Sequence, residues 1–387
     1  MRVVVRDAQG KPVAGLHLGD FRVLSDRHPE SICEFLAEEP RGPQTTRAMA
    51  EDRETSQPSA GSPNLPQHFA AFLVDDYHLA TQDLPLTREA VDHSVVKALQ
   101  SGCRVGLFSA SGAISVGFTE DHHELSQALA QLRPHSRFLR GGYCPDLTPY
   151  HAQKILEGSD PEALRLGVAM TFLCRCRCPT SVDTAVSTAM LISVHSDIAA
   201  AHTLQALNQV ASRLEDLPGL RTLTIISDGF LMGTHLEEVE TLVDRAVRQH
   251  ISISAFDPHE LCSLAATGDT GESGQSLAPR DALAAEKMAR RSSEADAEVL
   301  SELADGTGGE WVKNSADFNA GLRWSDSPGP SYLLGVSPPS ATSSGEFHRI
   351  KVTLIDHTHL RVQARHGFYL PRQVQKDEAQ SLRLPER

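Results

Sequence analysis

The ten residues from Arg221 to Phe230, RTLTIISDGF, constrain this chain more than any others. Leu223, Ile225 and Ile226 make a short, nearly continuous apolar run rich in β-branched side chains. A strand buried on both faces of a parallel sheet reads this way, because helices cover it above and below. The run stops at Ser227-Asp228-Gly229, a polar turn. In open α/β sheets, ligands gather outside the carboxyl ends of the strands, so Asp228 stands where a metal or polar ligand would bind. The stretch Phe72-Leu73-Val74, followed by Asp75-Asp76, repeats the pattern. Two buried strands that bring carboxylates to one end of a sheet are the core of the functional expectation.

Around these strands the chain alternates. From residue 67, strand patterns take turns with helical ones, such as Leu86 to Gln100 with Ala90, Val91, Val95, Val96 and Leu99 at helical spacing. That alternation predicts an α/β domain over residues 67–326, a mostly parallel sheet with helices on both faces. Residues 133–200 break the rhythm and read as an insertion on the ligand face. A helix from about Ile198 to Leu214 resumes it. Residues 262–290, polar and rich in Gly and Ser, read as a mobile loop before a helix from Ser293 to Ala304, and Asp317 to Trp324 reads as a further helix. Both ends are β-like. Residues 1–37 and 331–371 hold short alternating strands and are expected to pair into one small β-sandwich, with the α/β domain inserted between them. Residues 38–66, rich in Pro, Ser, Glu, Arg and Gln, predict a flexible linker, and residues 372–387 a disordered tail.

Composition narrows the function. The net charge is −14 and no basic run occurs, which argues against nucleic acid or an anionic membrane as partner. Aromatics make up only 5%, too few for a stacking platform. No apolar run reaches the roughly 20 residues that a membrane span needs. No signal peptide is visible, yet Met1 to Arg6 begins directly in a strand pattern. The expectation is a natural start further upstream. A signal peptide there would make the protein extracytoplasmic, periplasmic or secreted; without one it is cytoplasmic. Among the seven cysteines, Cys33 and Cys103 read as buried small hydrophobes. The cluster Cys174-Arg-Cys176-Arg-Cys178 leaves three readings open: a disulfide from one member to Cys144, thiolates for zinc, or free thiols. No phosphate-binding loop, strand-linked G-x-G-x-x-G or G-x-S-x-G elbow is present, and nothing fixes a catalytic triad, so the chain reads as non-enzymatic.

An ordered set of segments then points to a family. It runs through "VRDAQGKPVAGLHLGDFRVL", "FLVDDYHL", "CPDLTPYHAQKI", "LPGLRTLTIISDGF", Phe256-Asp257, "LADGTGGEW", "YLLGVSPP", "FHRIKV" and "RHGFYLP". In this order they resemble the von Willebrand factor A-related proteins of the acidobacterial type, over nearly the whole chain apart from linker and tail. The resemblance implies a Rossmann-like A domain flanked by β elements, an exported protein and a protein ligand. It also implies a metal-ion-dependent adhesion site, built from Asp-x-Ser-x-Ser, a Thr from a second loop and an Asp after the fourth strand. Asp75 stands at the first Asp and Asp228 at the last. The serine positions hold Tyr77 and Leu79; a register starting at Asp76 gives His78 and Ala80. Thr203 or a neighbour such as Ser196 supplies the hydroxyl.

The resulting expectation is a protein-binding adhesion or scaffold module with a degenerate cation site. Asp75, Asp76 and Asp228, with Thr203, are its candidate ligands for Mg²⁺ or another divalent cation. His78 would shift preference toward a transition metal. The bland alternative has the same carboxylates capping helices and orienting loops. Two other classes stay open: a metal-dependent hydrolase using Asp75, Asp76 and Asp228, and a structural envelope protein without metal.

Overall fold

The computed structural model describes residues 1–8, 11–38, 68–135, 143–174, 181–258, 277–312, 330–336, 347–355, 359–365 and 367–369. The expected linker, the expected tail, the expected helix Asp317 to Trp324, Cys176 and Cys178 lie outside them. The chain divides into two compact units, Pro40–Pro328 and the paired ends Met1–Glu39 with Gly329–Arg387.

In the larger unit, β5 (His68–Val74) is buried at all seven positions. It is central because it pairs in parallel with β6 (Arg104–Ser109) on one side and β8 (Leu220–Ile226) on the other. The six-stranded sheet runs β10 (Trp311–Val312), β9 (Ile251–Phe256), β8, β5, β6, β7 (Ser115–Thr119), with only β7 antiparallel. The mostly parallel sheet flanked by helices is the one the alternation predicts. Ala70, Phe72 and Val74 pack with Val91 and Val95 of α1 (Leu84–Gln100) and Leu125 and Leu129 of α2 (His122–Ala130). Asp121 caps α2 by accepting from His123 and Glu124 N–H. Strand alternation turns Leu73 and Asp75 to the opposite face.

Two helices start far earlier than their sequence patterns suggest. α5 spans Ser181–Glu215, 35 residues rather than the expected stretch from Ile198. The helix after β9 and α6 (Leu236–Arg248), α7, spans Pro279–Thr307 and replaces the second half of the expected 262–290 loop. The reason is packing against each other. Ala189 and Ile192 of α5 and Ala284 and Met288 of α7 share a core with Ala152 and Ile155 of α3 (Pro149–Glu157) and Ala163 and Leu166 of α4 (Pro161–Thr171). A few buried apolar side chains thus hold both segments in place. The carboxyl half of α5 packs Leu204, Leu207, Val210, Ala211 and Leu214 into the core, each at most 3% exposed. Val182–Glu215 is long and apolar enough by length and composition to cross a membrane. Its carboxyl half is a core helix of this unit.

A disulfide joins Cys144 to Cys174, with Cα atoms 5.8 Å apart, and encloses α3 and α4 in a 30-residue loop. Closing such a loop constrains the unfolded chain by about 3.5 kcal/mol. Cys144→Ser is therefore expected to lower stability by about 2–4 kcal/mol. Thiol reduction of the wild type should give the same loss in a denaturant titration. An unchanged midpoint in both would refute the role of this bridge.

The terminal unit has two antiparallel four-stranded sheets, each drawn from both chain ends. One runs β13 (Arg361–Ala364), β1 (Arg2–Arg6), β11 (Ser331–Val336), β4 (Ile32–Glu38). The other runs β14 (Gly367–Tyr369), β12 (Phe347–Leu354), β2 (Phe21–Ser25), β3 (His28–Glu30). Val3, Val5, Phe21, Val23, Tyr332, Leu334 and Ile350 share one core. The Tyr332 ring lies 5.1 Å from Phe21, and its buried hydroxyl donates to the Val13 carbonyl at 2.8 Å. Cys33, expected in a core, is exposed; it is the extra residue where the β4–β11 register shifts, and its Sγ donates to the Gly335 carbonyl.

Candidate functional site

Register brings the two acid-bearing strands together. Val74 pairs with Ile226, so the residues that follow, Asp75 and Ser227, leave the sheet side by side. The connection from β5 runs through α1 to β6, and that from β8 runs through α6 to β9 on the other side. The strand order thus reverses between β5 and β8, the crevice where open sheets hold ligands.

Asp75 is fully buried and both its oxygens are engaged. Oδ1 accepts from the Thr203 hydroxyl of α5 at 2.9 Å. Oδ2 accepts from the Ser227 hydroxyl at 2.7 Å and from His78 Nδ1 at 2.7 Å. The His78 side chain is 7% exposed and its ring stacks on Phe230 at 5.2 Å. Burial disfavours the charged form of each partner, yet the mutual attraction wins. Asp75 is held below the usual carboxylate range, by the His78 charge first and then by hydrogen bonds from His78, Ser227 and Thr203. Burial presses His78 down, but Asp75, and then the Asp296 and Asp228 charges, lift it above its ordinary value. The two side chains form a buried hydrogen-bonded pair whose mutual attraction favours the imidazolium and the carboxylate.

Asp76 points the other way. Its Oδ1 accepts from Ser111 N–H at 2.9 Å and its Oδ2 from the Ser111 hydroxyl. Burial lifts its pKa despite those bonds, and the Asp75 charge adds to the rise. Asp76 is thus separated from the Thr203 and Ser227 cluster, although adjacent to it in sequence. Asp228 is 8% exposed in the turn before Gly229. Its charge reaches His78, and Gly229 N–H donates to Ser227 Oγ at 3.0 Å.

Of the candidate ligands, Thr203 and Asp75 are in contact, Asp228 is near through His78, and Asp76 is tied to Ser111. Ser196 is two helical turns from Thr203 on the same helix and also buried, which is why periodicity alone could not choose between them. The serine positions of an adhesion site hold no serine: Leu79 lies in the sheet core and the Tyr77 ring stacks on His202 at 5.3 Å. Among the described residues, no group of three His, Cys, Asp or Glu side chains could hold a metal ion. Both Asp75 oxygens are taken up within the chain, which leaves fewer oxygens for a hard cation, since it needs several around one point. His78, already singled out in the sequence beside the candidate acids, completes the Asp75 shell with Ser227, whose only signal is its place next to Asp228.

No family model matches the chain, and no curated protein does. Solved structures give low-scoring likenesses. BatB, a conserved hypothetical protein from Bacteroides thetaiotaomicron, is 12% identical, covers 67% of this chain and 95% of its own, and scores a TM of 0.31. The N-terminal domain of TFIIH p34 is 14% identical over 67% of this chain and 96% of its own, at a TM-score of 0.27. Human COPII-coat protein Sec24c is 10% identical over 79% of this chain and 44% of its own, at 0.28. Scores this low carry no argument.

Proposed function

We propose that this chain is a non-enzymatic, von Willebrand factor A-like protein-binding module whose adhesion-type site has exchanged its cation for the His78 imidazolium. One observation carries the reading: both Asp75 oxygens are taken up by Thr203, Ser227 and His78. On this reading the raised His78 puts a positive charge where the resemblance puts a metal, fixed to the chain itself. A partner then engages the module without a metal bridge to its own carboxylate. The two terminal sheets read as one small β-sandwich. The Cys144–Cys174 disulfide suits an oxidising, extracytoplasmic home.

Calorimetric and thermal-shift titration with Mg²⁺, Mn²⁺ and Ca²⁺ tests the exchange. The expected result is neither heat nor a shift in melting temperature. A shift that Asp228→Ala abolishes would restore the cation site. Retention of an envelope protein on the immobilised chain should likewise survive EDTA; loss on chelation sinks the metal-free mode. Turnover of a phosphoester or peptide that vanishes in Asp228→Ala would instead favour the hydrolase.

A further inference from the structure

The stretch that leads from the turn after β8 into α6 has one buried residue. Leu231 and Met232 are half-buried, Gly233 and Thr234 are exposed, and His235 is 7% exposed. His235 ends the 3-10 turn Gly233–His235 and is the residue from which α6 starts, yet its side chain caps no backbone N–H. Its two ring nitrogens face carboxylates of two different helices instead. Nδ1 lies 3.0 Å from Glu238 Oε2, in the first turn of α6. Nε2 lies 3.1 Å from Asp197 Oδ1 of α5, an ion-pair contact rather than an aligned hydrogen bond. The Thr234 hydroxyl donates to the same Asp197 oxygen at 2.9 Å. The turn packs on α5 and α6, and among the described residues these two carboxylates are the charged groups against the ring.

We propose that His235 is a proton-operated clamp, which holds the connection from β8 to α6 onto α5 in mild acid and loosens it above neutral pH. The proton count of the ring carries the argument. A neutral imidazole has one N–H, so one of its nitrogens turns a lone pair toward a carboxylate oxygen. The imidazolium has an N–H at each nitrogen and a positive charge, and it attracts both carboxylates. Histidine side chains gain and lose this proton between about pH 5 and pH 8. Losing it turns one of the two attractions into a repulsion. The Asp197 and Glu238 side chains are each 57% exposed, so solvent moderates the change, but the ring between them is buried. The consequence falls at the carboxyl end of the sheet. The connection begins at Ser227-Asp228-Gly229, and α5 is the helix that gives Thr203 to Asp75. The clamp therefore sets how firmly the stretch that follows Asp228 is held to that helix, whatever the crevice binds.

Hydrogen exchange of the full chain, read at the amides from Met232 to Leu236 at about pH 5.5 and about pH 8, tests this. Once the pH dependence of exchange itself is corrected for, the wild type is expected to be about fivefold better protected in acid, the scale of two solvent-moderated ion pairs. Asp197→Asn should remove most of that difference, because an amide group donates to the lone pair of the neutral ring. His235→Gln should remove it as well. His78 stays in both variants, so its own titration is separated from the clamp. Asp197 is exposed, and its variant keeps the test decisive if His235→Gln fails to fold. Wild-type protection that does not change with pH, or a difference that Asp197→Asn keeps, overturns the proposal.

Discussion

Asp75→Ala is expected to lower stability by about 3–5 kcal/mol, roughly 6–15 °C in melting temperature. The substitution leaves a buried imidazolium and two hydroxyls, Thr203 and Ser227, without their acceptor. Asp75→Asn removes the charge but keeps an acceptor oxygen, so its loss should be intermediate. The pH dependence identifies the cause. His78 is raised in the folded state, so its contribution is complete below its ordinary value of 6.5 and fades as pH rises through the higher folded value. Asp75 is lowered, so its contribution is complete above 3.8 and is lost as pH falls through the lower folded value. Asp76 has the opposite sign to Asp75: its pKa is raised, so the penalty of its buried charge is relieved as pH falls toward 3.8. The wild type should therefore be more stable in mild acid than above neutral pH. Asp75→Ala should flatten the alkaline limb, because it has no pair left to lose. A melting temperature within the scatter of wild type, or an unchanged alkaline limb, would show that the pair contributes nothing.

How much of this was legible in the sequence follows from what each feature depends on. The runs Phe72 to Val74 and Leu223 to Ile226 are readable because burial on both faces leaves only Thr224 as a polar position until the strands end. The acids after them are readable for the same reason. Their partners are not. Asp75 meets Ser227 only because Val74 pairs with Ile226, and a register between strands far apart in sequence has no local trace. Asp75 and Asp76 look like a matched pair, yet strand alternation sends them to different faces and different partners. The helical cluster was opaque for another reason. The segment from Pro279 to Arg290 follows a Gly- and Ser-rich stretch and reads with it as a mobile loop, while its core contact rests on Ala284 and Met288. In α5, apolar residues face both the core and the solvent, which erases the amphipathic signature that marks an ordinary surface helix.

Gly229→Ala is the second large effect, expected to cost about 4 kcal/mol or more, beyond what most single substitutions do. Gly229 lies at φ +85°, and a Cβ built there would sit 2.1 Å from the Asp296 carbonyl oxygen of α7 and 2.6 Å from its carbon. The obstacle is helix backbone, which cannot rotate away as a side chain could. Phe230 N–H donates to that same carbonyl at 3.0 Å, so the turn and α7 are locked by a bond that the methyl group would break. The Ser227 hydroxyl, tied to Gly229 N–H and to Asp75, would move with them. Gly112→Ala is the matching control. Its φ is +75°, but nothing lies within 4 Å of the added carbon. It should lose only the conformational part, about 1 kcal/mol. Denaturant titrations of the two variants separate contact from backbone preference. Equal losses would mean that α7 does not press on the turn after β8. A loss at Gly229 several times larger, accompanied by a flattened alkaline limb like that of Asp75→Ala, would show that the close approach of α7 holds the whole Asp75 cluster in place.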